Sequence, residues 1–341
     1  MISVFCGSIC FRLTIASAGF FRDNPNMLAV IGALFANGLI AILKFVAAVI
    51  TGSSGMMAEA LHSVADTTNQ VFLLLGLRFY KRPASEKHPF GYGKERFFWS
   101  FIAAIFIFGV GATYAIYEGI DKLAHPHPPT NLEWAYWVLA ISFVLESGSI
   151  ALAIYQEVKE AHHEGLSFAE YLRESKDPTA KTVLFEDSAA LIGIIIASSG
   201  LVLTDYQVGG SVGAYWDGVA SILIGLVLAV VAFVLARSSR GLLLGEAARP
   251  KVLIAIQQAI ESHPNVERVI ELLTMHLAPK QILINAHVKL RSDLVTGQIE
   301  KTIGEVEDRI KNAEPKVEMM FIEVARGERA NDQQAVAEHM G

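Results

Sequence analysis

The sequence offers almost no sulfur chemistry. Cys6 and Cys10 are the whole thiol inventory, and they form no CxxC pair, so neither a disulfide framework nor a thiolate zinc motif is available. Any metal bound here must be held by histidine and carboxylate. Charge is scarce as well. Asp, Glu, Lys and Arg make up 18% of 341 residues, against about 25% in soluble domains. The deficit falls almost entirely between residues 27 and 245. A basic surface is also missing: the net charge is −6, which argues against a nucleic-acid partner. With no HExxH or other nucleophile-activating motif, the chain is not read as an enzyme.

What is abundant is apolar length. A membrane-spanning helix needs about 20 largely apolar residues, and six stretches qualify: 27–50, 56–80, 97–122, 133–156, 180–204 and 214–238. Gly52 to Gly55 makes a tight turn after the first, and His125-Pro126-His127-Pro128-Pro129 breaks the chain after the third. The connection between spans two and three carries Lys81, Arg82, Lys87, Lys94 and Arg96; that between four and five carries Lys159, Arg173, Lys176 and Lys181. Connections 51–55 and 205–213 carry no Lys or Arg. The positive-inside rule then places both termini in the cytosol, in a multi-pass protein of the cell (inner) membrane.

Residues 1–26 contain Arg12 and several small polar residues. They read as an N-terminal extension with Met27 as the alternative start. The transmembrane domain covers 27–245 and a cytosolic domain covers 246–326, with a polar, disordered tail over 327–341. Within the cytosolic domain, 251–262 and 296–312 have helical periodicity, while 267–277, 281–290 and 317–325 read as strands. The order helix–strand–strand–helix–strand predicts a small α+β sandwich with helices on one face of the sheet.

Ionisable residues inside spans are costly and therefore functional candidates. His62 and Asp66 in span two are four apart and lie on one helix face. Both can reach one ion, or they can form a buried His–Asp pair holding two helices together. Glu186 and Asp187 in span five sit nearly two turns inside Ala180. They either line a cavity or mark the cytosolic start of the helix. Lys44, Glu118 and Glu146 can pair with one another or snorkel, and Asp217 reads as the N-cap of span six.

The runs GSSGMMAEALHSVADTTNQ (52–70), HPFGYGKERFFW (88–99), DSAALIGIIIA (187–197), DGVASILIG (217–225) and LLLGEA (242–247) together resemble the cation diffusion facilitator family over residues 27–326. The resemblance implies a homodimer with six transmembrane helices and a C-terminal ferredoxin-like cytosolic domain. It also implies divalent-metal efflux by metal/proton antiport with alternating access. His62 and Asp66 match the family's span-two ligand pair, in the combination of its zinc-selective branch. Asp187 matches the second span-five ligand. Val183 stands where the first is expected, and Glu186 is the nearest substitute. His88 matches one ligand of a loop site, where Tyr92 replaces another. In the cytosolic domain His287 and Glu323 match ligand positions, with His276 as a third candidate and Phe321 where a partner histidine is common. The transported substrate implied is Zn²⁺, with Cd, Mn, Fe or Co as alternatives, and protons are the counter-ion. The competing reading is a non-transporting membrane sensor or scaffold with a degenerate site.

Overall fold

The computed structural model describes residues 27–163, 165–174, 178–206 and 211–325. The N-terminal extension and the tail read from sequence lie outside the described residues. Two compact units are present. One is helical, and the other joins the Tyr80–Lys94 connection to the chain from Gly241 onward.

The helical unit holds six long helices at the six apolar stretches: α1 (Met27–Thr51), α2 (Ser54–Tyr80), α3 (Glu95–Ala124), α4 (Leu132–His163), α6 (Pro178–Tyr206) and α7 (Ser211–Leu244). A short helix, α5 (Phe168–Glu174), interrupts the α4–α6 connection. Among the described residues, four of them are long and apolar enough to cross a membrane: α3, α4, α6 over Thr182–Tyr206, and α7 over Ala214–Leu244. Large side chains such as Trp137, Val144 and Phe233 face outward, as lipid contact requires and water does not favour. Helices α4 and α7 run past their apolar stretches to His163 and Leu244, because polar sequences such as QEVKEA continue the helix after hydrophobicity ends.

Small residues bring α3 and α7 together. A Cβ on Gly119 would lie 2.6 Å from the Gly218 carbonyl oxygen, and one on Gly225 would lie 2.6 Å from Ile116 Cγ1 and 3.0 Å from the Ala112 oxygen. Ser221 Oγ, between the two α7 glycines, donates to the Ala115 oxygen at 2.7 Å. Close backbone approach through small residues is how membrane helices gain dispersion contact and polar glue where apolar burial gives no drive. The middle of α3, Ile107–Ala112, winds as a π-helix, and Thr113 Oγ1 donates to the Phe108 oxygen five residues back. Gly111, in this turn, packs beside Leu228 and Ala65.

Asp217 is not the N-cap of its own helix, since α7 begins at Ser211. It caps a different one. Its carboxylate accepts from Ser54 N at 2.8 Å, Gly55 N at 3.1 Å, Ser53 Oγ at 2.6 Å and Ser54 Oγ at 3.2 Å. Four donors at the start of α2 are therefore served by an acid from α7. Lys122, at the end of α3, lies 3.5 Å from the same carboxylate and donates to the Gly52 oxygen at 2.6 Å. Lys122 and Asp217 are both buried.

The second unit contains α8 (Pro250–Glu261), β1 (Val266–Ala278), β2 (Gln281–Leu290), α9 (Thr296–Ala313) and β3 (Val317–Val324), the expected order. The sheet order is β1-β2-β3, with β1 antiparallel to β2 and β2 parallel to β3. Alternation along β2 buries Ile282, Ile284, Ala286, Val288 and Leu290. These pack against Ile256 and Ile260 of α8 and Val306 and Ile310 of α9. The other sheet face stays open, with Leu273 and Phe321 exposed. Within this unit Lys94 Nζ donates to the Leu243 oxygen at 3.3 Å, so the connection after α2 belongs structurally with the C-terminal chain.

Candidate functional site

Helix α2 carries a polar face. Glu59, His62, Asp66 and Asn69 follow one another at steps of three, four and three residues, the spacing of one side of an α-helix. Glu59 is 0% exposed, His62 1% and Asn69 1%. His62 Nδ1 lies 3.4 Å from Asp66 Oδ1. Among the described residues, Glu59 Oε1, both His62 ring nitrogens, Asp66 Oδ1 and Asn69 Oδ1 have no hydrogen-bond partner. A buried polar atom left unsatisfied costs about 1–3 kcal/mol. Native structures rarely accept several on one face unless something else serves them.

The adjacent carboxylates of α6 lie two turns past its start at Pro178, Glu186 buried and Asp187 half-buried, and they turn to different neighbours. Both oxygens of Glu186 accept from Asn69 Nδ2, at 2.7 and 2.6 Å. Asp187 Oδ2 accepts from Ser149 Oγ of α4 at 2.8 Å. Asp66 lies within electrostatic reach of Glu186, Glu146, Lys44 and Asp187. Among the described residues, no group of three or more His, Cys, Asp and Glu converges closely enough to hold a metal ion. The four transport-site candidates thus stand as His62 with Asp66 on α2, Glu186 held against the same helix by Asn69, and Asp187 held against α4.

Lys44 pairs with neither Glu118 nor Glu146. Its ammonium lies 3.0 Å from Glu59 Oε2, with both side chains fully buried. Glu59 needs room to sit there, and Gly193 of α6 supplies it, since a Cβ at 193 would collide with Glu59 Oε1.

The remaining candidates are separate. His88 is exposed in the α2–α3 connection, its ring 4.4 Å from that of Tyr92. His287 sits beside Glu323 of β3 and opposite Glu271 of β1 on the open sheet face. His276 pairs across the ladder with Ile282 and is buried on the helix-covered face. His276 and His287 therefore cannot join in one site within this sheet.

Sequence reasoning passed over Glu59, Asn69 and Ser149. The first two extend the His62–Asp66 face by one turn each way, and that periodicity was their signal. Ser149 had none.

Residues 30–244 match the profile of the cation efflux transmembrane domain, and residues 248–325 match that of the cation efflux protein cytoplasmic domain. The chain is 33% identical over 282 residues to the mitochondrial proton-coupled zinc antiporter SLC30A9 of Xenopus laevis, covering 83% of this chain and 50% of that protein. Its similarity to the Homo sapiens protein of the same name is 32% over 280 residues, covering 82% of this chain and 48% of that one. To metal tolerance protein C4 of Arabidopsis thaliana it is 33% identical over 286 residues, covering 84% and 62%. The chain spans about half the length of the SLC30A9 relatives it matches.

Proposed function

The chain belongs to the cation diffusion facilitator family, a family of membrane transporters and not of enzymes, and from that premise we propose that it exports Zn²⁺ from the cytosol in exchange for protons. It does so as a homodimer with six spans per chain, both termini cytosolic, in the cell's inner membrane. The observation that carries this reading is the α2 polar face. Its unpartnered nitrogen and oxygen atoms lie inside an apolar bundle, where ionised carboxylates require a cation or a proton.

His62 and Asp66 supply two ligands, and Asp187 a third when it leaves Ser149. Three protein ligands leave one coordination position open, a looser arrangement than a closed structural zinc site and better suited to release. That position is filled by Glu186, once it leaves Asn69, or by water. Metal and proton exclude each other on the same atoms, because imidazole binds metal only when neutral and carboxylate only when ionised. The names of the relatives, proton-coupled zinc antiporters, support both the cargo and the counter-ion. The cytoplasmic-domain match and the open sheet face support dimerisation.

A second reading has its own observation. Val183 replaces a family ligand, and no three ligands converge among the described residues, which suits a sensor or scaffold that no longer moves ions. Purified full-length protein in proteoliposomes, with Zn²⁺ outside and a pH dye inside, separates the two. The antiporter gives Zn²⁺-dependent proton flux that disappears in Asp66→Ala and Asp187→Ala. A wild type that binds Zn²⁺ but moves neither ion would overturn the antiport proposal in favour of the sensor.

A further inference from the structure

The transport reading uses His62, Asp66, Asp187 and Glu186 but leaves a buried ion pair one turn away unexplained. Glu59 lies three residues before His62 on the same face, about 4.5 Å along the axis. Its Oε2 holds the Lys44 ammonium at 3.0 Å, and its Oε1, equally buried and packed beside Gly193, has no hydrogen-bond partner among the described residues. Such a pair is a poor device for stability alone, since desolvating both charges commonly offsets their attraction. A packing role does not explain the half-used carboxylate.

Lys44 also has other carboxylates within electrostatic reach, Glu146 of α4 and Asp66 of α2. A flexible ammonium among three acids on two helices can change partners. On the transport reading above, we propose that Glu59 is a second cation station on the ion path. Lys44 fills it as a tethered counter-ion until a divalent metal leaving His62 and Asp66 takes its place. As the metal moves onto Glu59, the ammonium swings toward Asp66, beside Glu146, so the carboxylate just emptied is neutralised without waiting for a proton. The charge left behind in the apolar bundle is what would otherwise hold the metal back. The station's chemistry is that of a single oxygen donor with open positions, which suits a divalent cation in transit and not a resident one.

Equilibrium Zn²⁺ binding by the reconstituted full-length protein tests this. Comparing variants cancels any contribution from the cytosolic domain. Wild type should bind Zn²⁺ in a manner sensitive to Asp66→Ala. Loss of that sensitivity sinks the transport-site reading itself and is told apart from failure of the present proposal. Lys44→Met should gain one further Zn²⁺ per chain, which Lys44→Met/Glu59→Gln should lose again. A Lys44→Met protein that binds no more than wild type overturns the second station. Should Lys44→Met fail to fold with Glu59 left unpaired, the double variant decides, since it removes both charges together. It should still bind Zn²⁺ in an Asp66-dependent way but turn over about tenfold more slowly, or about 1.4 kcal/mol in barrier. Unchanged turnover in the double variant would show that the pair is only packing.

Discussion

Replacing Asp217 should damage the protein far more than replacing any exposed acid, although Asp217 does not belong to the transport-site face. The carboxylate accepts four hydrogen bonds of 2.6–3.2 Å from the first residues of α2 and the turn before it and faces the buried Lys122 ammonium at 3.5 Å. At an effective dielectric of about 20, unit charges at that distance interact by about 5 kcal/mol. Removing one partner of a buried pair costs about 3–5 kcal/mol. Lys122 keeps the Gly52 oxygen and His127 Nδ1 at 2.6 and 2.8 Å, which moves the charge component toward the lower end. Loss of the cap adds about 1 kcal/mol. Asp217→Ala should therefore cost about 4 kcal/mol, or roughly 10 °C in melting temperature for a unit of this size. Asp217→Asn, which retains one acceptor oxygen, should cost about half as much. Adding Lys122→Met to Asp217→Ala should recover part of the loss, because the stranded cation goes and only the cap deficit stays. Melting of the detergent-purified protein, followed by size-exclusion fluorescence, measures all three. A melting temperature for Asp217→Ala within about 2 °C of wild type, or a further fall on adding Lys122→Met, would refute the argument.

Gly225→Val should destabilise the helical unit by about 1–3 kcal/mol, because the new Cβ meets Ile116 and the α3 backbone; the same melting assay reports it. Val183→His should tighten Zn²⁺ binding and slow its release, while Glu186→Gln should weaken binding if Glu186 completes the ligand set. Wild-type affinity in Glu186→Gln would return that carboxylate to Asn69 as a packing contact, with water as the fourth ligand. The cytosolic domain, produced as residues 246–325, should fold without metal, because its core is closed by Ile256, Ile260, Ile284 and Ile310; circular dichroism unchanged by a chelator is the expected result. In the same domain, the hydrogen bond from His263 Nε2 at 2.8 Å holds the Glu305 carboxyl below its ordinary value, with Lys301 assisting. That contribution to stability is present above the ordinary glutamate value of about 4.3 and lost as pH falls through the depressed one, so His263→Ala should flatten the acid limb of the stability curve.

The parts of this molecule that one sequence exposes are those set by local pattern. The six long helices sit at the six apolar stretches of the sequence. The alternation Ile282, Ile284, Ala286, Val288, Leu290 is by itself enough to give β2 its buried face, because successive strand residues point to opposite sides. What pattern cannot supply is the choice of partner across space. Asp217 looks like a local cap because acids often are, yet its donors lie more than 160 positions away, and only the close approach of α7 to the start of α2 reveals them. Lys44 had several buried acids to choose from, and nothing in the chain order prefers Glu59 to Glu146. The split of Glu186 and Asp187 onto Asn69 and Ser149 has the same cause: adjacent helical residues diverge by about 100°, and which helix each then meets is a packing outcome. His276 and His287 look equally available in the sequence, but the ladder through Glu271–His287 and His276–Ile282 puts them on opposite faces. For Glu59 and Asn69 the position was legible, since both continue the His62–Asp66 periodicity. Their neighbours were not, because which atoms of a polar face find partners is a property of the bundle and not of α2.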